Sequence, residues 1–209
     1  MWTSNTASRM VEHSRPPDDL LIARIADGDR DAFAELYRRH RSMVYRFAAH
    51  MCGSASAAED VVHEAFVAVI GSAARYRPGR TDAKLWLLGI ARNHARRAKA
   101  VRPTLSLQDE ERNGASQLTI ECDPAGDLDR QRHLASLRKA IVALPIRYRE
   151  VVVLCDLHEL SYADAAASLG CAVGTVRSRL HRGRNILARR LCGADTSPTC
   201  PFPATRTMP

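Results

Sequence analysis

Two small all-α domains joined by a flexible linker are what this 209-residue sequence predicts, on three observations. Hydrophobic residues reach 45% while aromatics are only 5%, so the cores must be built from Ala, Leu, Val and Ile. Ala and Leu favour helices, whereas strands favour aromatic and β-branched residues. Apolar residues recur at helical spacing in two blocks, with no strand pair and no repeat between them. Charge divides the chain in the same places. Residues 1–100 carry 16 basic and 11 acidic side chains (+5), residues 101–127 carry 2 and 6 (−4), and residues 128–209 carry 13 and 6 (+7). Two basic blocks flank an acidic connector, and the total of +8 points to a polyanionic partner.

Residues 1–17 read as a disordered N-terminus without the apolar stretch of a secretory signal. Residues 18–100 form the first domain. "DDLLIARIADGD" is a short amphipathic helix stopped near Gly28. "DRDAFAELYRRHRSMVYRFAAHMCG" places Phe33, Leu36, Tyr37, Val44, Phe47 and Met51 near helical spacing and ends at Gly53, as a helix C-terminus should. "SASAAEDVVHEAFVAVIGSA" carries Val61, Val62, Ala65, Phe66, Val69 and Ile70 on a third helix. "RYRPGRTD" is a basic loop broken by Pro78 and Gly79. "AKLWLLGIARNHARRAKAV" is a fourth helix, apolar early and basic late, with Trp86, Leu87 and Ile90 in its core.

Residues 101–127, with two prolines and six acids, lack a sustained period and read as the linker. Residues 128–192 form the second domain. It opens with "DLDRQRHLASLRKAIVAL", and Pro145 then starts "IRYREVVVLCDLHEL". Residues 193–209 read as a disordered tail.

The end of the second domain has the pattern of a helix-turn-helix. Ser161 and Asp164 have capping-box spacing, the helix they start is Ala-rich, and Gly170 supplies the left-handed turn residue. Ala166, Gly170 and Val176 sit where that motif needs a small contact residue, a turn glycine and a core-facing apolar residue. The following helix, "GTVRSRLHRGRNILARRL", holds six arginines and no acid. At 100° per residue with Val176 at zero, Leu180, Gly183, Leu187 and Leu191 fall between about −20° and 60° and define a buried seam. Arg177 and Arg184 border the seam on one side and Arg179 and Arg190 on the other, with Ser178, Arg182, Asn185 and Arg189 opposite. An ordinary solvated helix is one reading. The other is a recognition helix, because arginine's rigid fork pairs with guanine edges or phosphates. Thr175, Arg177, Ser178 and Arg179 would then reach bases and the later arginines would hold phosphates. The fourth helix repeats the pattern more weakly, with Arg92, Asn93, Arg96 and Arg97 on one polar side. A basic helix C-terminus also complements the helix dipole without any ligand.

Taken together, "GDRDAFAELYRRH", "AEDVVHEAFVAV", "WLLGIARNHARR", "LRKAIVALPIRYREVVVL" and "LSYADAAASLGCAVGTVRSRLHRGRNIL" resemble the extracytoplasmic-function sigma factors, the minimal class of the bacterial sigma-70 family. The likeness covers residues 18–100 (sigma domain 2) and 128–192 (sigma domain 4). It implies a protein without enzymatic activity that binds core RNA polymerase, melts the −10 promoter element and reads the −35 element. By the same resemblance, Asp60, Glu64 and Phe66 would dock on the β′ clamp helices, and domain 4 would meet the β flap. Arg92, Asn93, Arg96 and Arg97, with Arg77 and Arg80 of the base-capturing loop, would contact the −10 element. Thr175, Arg177, Ser178, Arg179 and Arg182 would read the −35 element. The acidic linker would thread the polymerase's RNA exit path, and an anti-sigma factor would hold the free protein. Departures from the family pattern are His63 for Gln, Ala83 for an aromatic, Ala165 for Ile, and the tail after Gly193.

Two other function classes fit the sequence less well. A stand-alone helix-turn-helix regulator would account for residues 161–180 but not for "AEDVVHEAF" or "WLLGIARN". An enzyme would need clustered ligands or a nucleophile with its base, and the eight histidines form no HExxH and no Cys/His cluster. No catalytic residue, metal ligand or cofactor is therefore expected, nor a membrane span, since no run approaches the ~18 apolar residues one needs. The expected location is cytoplasmic, with reduced cysteines. Cys192 and Cys200 either stand idle in the tail or pair or bind metal.

Overall fold

The computed structural model describes residues 15–101 and 127–192, and among these it contains helices and no strands. The first bundle comprises α1 (Asp18–Ala26), α2 (Arg30–Cys52), α3 (Ala55–Ser72) and α4 (Ala83–Val101), with a short 3-10 turn at Ala73–Arg75 after α3. The second comprises α5 (Asp127–Val142), α6 (Ile146–Val152), α7 (Tyr162–Leu169) and α8 (Val173–Cys192), with a π-helical turn at Val153–Leu157 following α6. Residues 1–14, 102–126 and 193–209 lie outside the described residues, and with them most of the expected N-terminal segment, linker and tail. α4 runs to Val101 and α5 starts at Asp127, so each helix takes one residue of the stretch read as linker.

Local chemistry sets most helix ends. The Asp29 carboxylate accepts from the amides of Asp31 (2.9 Å) and Ala32 (3.0 Å) and starts α2. Those bonds and the adjacent Arg24 hold the Asp29 carboxyl below its ordinary pKa. Gly53 ends α2 at φ 83°, a left-handed conformation that glycine adopts without steric cost. α1 is tied to α2 by Asp18, which meets His40 Nε2 at 2.6 Å and Arg39 Nη1 at 3.0 Å.

The first core is formed by Leu21, Ile22, Leu36, Val44, Phe47, Met51, Phe66, Val69 and Leu88, all nearly inaccessible. Ile70 is 55% exposed on α3, as is Val67 at 51%. Trp86 and Ile90 are half-buried and pack against the core as expected, while Leu87 and Leu88 are both buried within it.

Every residue from Tyr148 to Leu154 is buried, which an amphipathic surface helix cannot achieve. α6 packs against α8 on one side and against α2 of the first bundle on the other, so it is covered all round. Expected as a single helix through Leu160, this segment widens into the π turn, with the His158 amide on the Val153 carbonyl (3.1 Å) and the Leu160 amide on that of Leu154 (3.1 Å).

Candidate nucleic-acid interface

Ser161 caps α7 by accepting from the Asp164 amide at 3.1 Å, and its hydroxyl donates to the Asp164 carboxylate at 2.6 Å. Capping spacing is thus realised, with the two side chains bonded directly to each other. Gly170 ends α7 at φ 63°, ψ 40°, and the Cys171 amide reaches back to the Ala166 carbonyl at 3.1 Å. A three-residue turn then delivers α8. Its buried residues are Val176, Leu180, Gly183 and Leu187, with Leu191 half-buried, which is the seam the sequence predicts. At Gly183, α8 packs closely on α6. A Cβ there would stand 2.9 Å from Val152 Cγ2 and 3.5 Å from Tyr148 Cβ.

With that seam inward, Arg177, Ser178, Arg182, Asn185 and Arg189 are exposed, and Thr175 and Arg179 are half-exposed at the base of the helix. Asp156 engages Arg184 through both carboxylate oxygens, which removes that arginine from the free set. Arg177 lies over the Tyr162 ring (6.0 Å to the centroid), and Arg182 stands beside the Tyr148 hydroxyl. Among the described residues, Arg177, Arg179, Arg182 and Arg189 have no carboxylate within ion-pair distance. Four guanidinium groups distributed around the solvent side of one helix are a ready receptor for phosphates and base edges.

A second cationic face runs along α4 and the loop before it. Tyr76 anchors this loop. Its hydroxyl sits 2.5 Å from Asp19 Oδ1 and 2.8 Å from the Thr81 carbonyl, and its ring packs on Trp86 at 5.0 Å. Burial and the Asp19 contact raise the pKa of this phenol strongly. Arg77 and Arg80 are exposed on the loop, with Arg77 Nη1 donating to the Ala74 carbonyl at 3.1 Å. A cleft of about 430 Å³ opens between the loop and α1, lined by Asp19, Gly79, Arg80, Asp82 and Lys84 among others. Asn93 and Arg97 are exposed on α4, and Arg96 is 52% exposed. Arg92 is different. Its side chain is 12% exposed, Nε meets Glu150 Oε1 at 2.8 Å, and Nη1 donates to the Ser168 carbonyl at 3.0 Å.

The α3 surface carries exposed Asp60, His63 and Glu64 together with the exposed Val67 and Ile70. Phe66, expected on this surface, is 3% exposed. It packs edge-on against Tyr37 (4.7 Å) and Phe33 (6.3 Å), so it backs the acidic face from within the core. Sequence reasoning missed Glu150, Tyr76, Val67 and Ile70. An acid inside "YREVVVL" was the available signal for Glu150. An aromatic beside a Pro-Gly turn was the signal for Tyr76. No group of three or more metal-ligating side chains occurs among the described residues, and no helix among them is long and apolar enough to cross a membrane. Cys192 is exposed at the end of α8, and Cys200 lies outside the described residues.

Comparison with known proteins matches the two bundles separately. The family description "Sigma-70 region 2" covers residues 36–102, and "Sigma-70, region 4" covers residues 134–187. The chain is 36% identical over 189 residues to the ECF RNA polymerase sigma factor SigE of Mycolicibacterium smegmatis, spanning 87% of this chain and 71% of that protein. It is similar in structure to CnrH in complex with the cytosolic domain of CnrY, with a TM-score of 0.63 at 27% identity over 86% of this chain and 99% of the other. It is also similar to RpoE in complex with the anti-sigma factor NepR from Bartonella quintana, with a TM-score of 0.57 at 29% identity over 78% and 98%.

Proposed function

The chain belongs to the extracytoplasmic-function (ECF) sigma factors of the sigma-70 family, and from that premise we propose how its two bundles divide the work. As a sigma factor it binds core RNA polymerase and directs promoter-specific transcription initiation, with −10 melting and −35 recognition.

On our reading, residues 18–100 act as sigma domain 2 and residues 128–192 as sigma domain 4. α8 enters the major groove of the −35 element, where Thr175, Arg177, Ser178 and Arg179 reach base edges and Arg182 holds phosphate. The observation that carries this is a helix whose buried seam is sealed against α6 while five of its six arginines lack a carboxylate partner among the described residues. Asn93, Arg92, Arg96 and Arg97 of α4, with Arg77 and Arg80 of the loop anchored by Tyr76, receive the unstacked −10 strand. Asp60 and Glu64 meet a basic partner on the β′ clamp helices, and the exposed Val67 and Ile70 add apolar contact beside them. Domain 4 meets the β flap.

We also assign it an anti-sigma partner, because the matched RpoE is bound to one. A cytoplasmic location and the absence of catalytic activity, cofactor or metal complete the proposal. A stand-alone regulator would have no use for the acidic α3 face.

Arg179→Ala tests the assignment. With the reconstituted holoenzyme, binding to the cognate promoter is expected to weaken by about 1–3 kcal/mol and discrimination at one −35 position to relax. Unchanged discrimination, measured on a set of single-base promoter variants, would remove Arg179 from the base-reading set.

A further inference from the structure

Asp19 and Asp82 line the cleft beside the 76–82 loop together with Arg80 and Lys84, on a face otherwise assigned to DNA. A carboxylate repels a phosphate strand, so each of these acids needs another task. Asp82 has a local one, since its Oδ1 accepts from the Lys84 amide at 2.7 Å and starts α4. Asp19 receives the Tyr76 hydroxyl at 2.5 Å, and the same hydroxyl lies 2.8 Å from the Thr81 carbonyl. Tyr76 thus ties the two ends of the loop to each other, and both to the first turn of α1.

That turn is itself fixed, because Asp18 meets His40 Nε2 at 2.6 Å and Arg39 Nη1 at 3.0 Å, both on α2. The loop it holds has weak support of its own. Residues 77–80 are exposed, Gly79 adopts a left-handed φ of 77°, and the turn bond from the Arg80 amide to the Arg77 carbonyl is long at 3.3 Å. Tyr76 is 7% exposed with its ring on Trp86, and a buried phenol needs a partner for its hydroxyl. The Thr81 carbonyl alone would meet that need. Asp19 adds a charge-assisted bond from the loop to another element, which fixes where the loop stands relative to the bundle.

We propose that the Tyr76 hydroxyl and Asp19 form a positioning pair that sets the base selectivity of the 77–80 loop toward the −10 strand, with Asp18 holding the pair to α2. This inference rests on the assignment of that loop to −10 DNA. The pair holds Arg80 and the adjoining cleft wall at one height, so that one unstacked base is chosen by fit. A loop released from α1 accepts several.

Tyr76→Phe keeps the ring and removes the hydroxyl, while Asp19→Ala removes its partner. Reconstituted holoenzyme is probed with a fluorescent single strand carrying the non-template −10 element of its cognate promoter, and with that strand changed at each position to the other three bases. Loss of the Asp19 charge strengthens strand binding at every base alike, so the quantity read is discrimination, the ratio of affinities at one position. Each single variant is expected to lose about tenfold in discrimination at one position, the size of one hydrogen bond to a charged group, with the other positions unchanged. The double variant is expected to lose no more than either single one, because both break the same bond. Losses that add would make the two residues independent, and losses spread evenly over all positions would make Tyr76 a matter of stability alone. Either result, or unchanged discrimination, would overturn the proposal. Should Asp19→Ala lose its helical signal, Tyr76→Phe decides on the same position-by-position readout. A parent holoenzyme that shows no discrimination on this strand overturns the −10 assignment and the pair with it, whereas a selective parent with unaffected variants overturns the pair alone.

Discussion

Arg149 and Glu150 are adjacent in the sequence, almost wholly buried, and directed at different targets in the first bundle. Burial pushes the Arg149 pKa down to about 10, which still leaves it charged at neutral pH, and backbone carbonyls rather than a carboxylate receive it. A cation at the α2 C-terminus also meets the negative end of that helix dipole. Neither role was legible in the sequence, because each depends on a partner 58 or 98 residues away. The exposed arginines of α8 were legible, because a period of 3.6 is enough to separate them from the seam.

His158 makes the same junction sensitive to acid. Burial first, and then the charges of Arg46 and His50, push its pKa from 6.5 down to about 4. His50 is lowered in turn, by burial and by Arg138 and Arg46. Between those two values the unfolded chain binds a proton that the folded protein refuses. Stability is therefore complete above pH 6.5 and falls as the pH drops from 6.5 toward 4. One pKa unit is worth about 1.4 kcal/mol, and for a part-exposed ring the expected loss is on the order of 2 kcal/mol. Denaturant melts of the parent and His158→Phe across this range measure it, and the variant should lose less stability on acidification. Equal losses would place the acid sensitivity elsewhere.

At the scale of the element, caps and turns were the most readable features because their chemistry is local. Gly53, Ser161 and Gly170 do what their spacing implies. The α6 segment resisted reading. A run such as "VVVLC" fits a helix, but nothing within it tells that two bundles enclose it or that it widens at Val153. Exposure of Val67 and Ile70 was hidden for a related reason, since apolar periodicity marks a face without telling whether the protein's own core or a partner covers it. Gly183 shows how closely α6 and α8 fit. Gly183→Val would drive a branched side chain into Val152, and stability in a denaturant melt is expected to fall by about 1–3 kcal/mol through overpacking. An unchanged midpoint would mean that α6 and α8 separate more readily than this contact implies.

Over the whole molecule, the two-bundle organisation and the family resemblance could be read from motif order, while the mutual arrangement of the bundles could not. Sequence periodicity describes each bundle in isolation, and it placed Arg92, Asn93, Arg96 and Arg97 on one polar side. Three-dimensional packing divides that set, sequestering Arg92 against Glu150 and leaving Asn93 and Arg97 exposed. Phe66 is the converse case, a residue that the family resemblance assigns to a docking contact and that packs in the core, where its apolar periodicity also put it. The resulting molecule has one cationic face open and, on the other, Arg92 held by a carboxylate of the second bundle.

The central claim is that this chain gives core RNA polymerase its choice of promoter, and transcription reconstituted from purified components tests it most directly. Sigma-free core polymerase would be supplied with fragmented genomic DNA of the source organism, with and without the chain, and transcript 5′ ends mapped. The expected result is a restricted set of start sites that appear only with the chain and share one −35 and one −10 element. Transcripts whose start sites are the same with and without the chain would contradict the account.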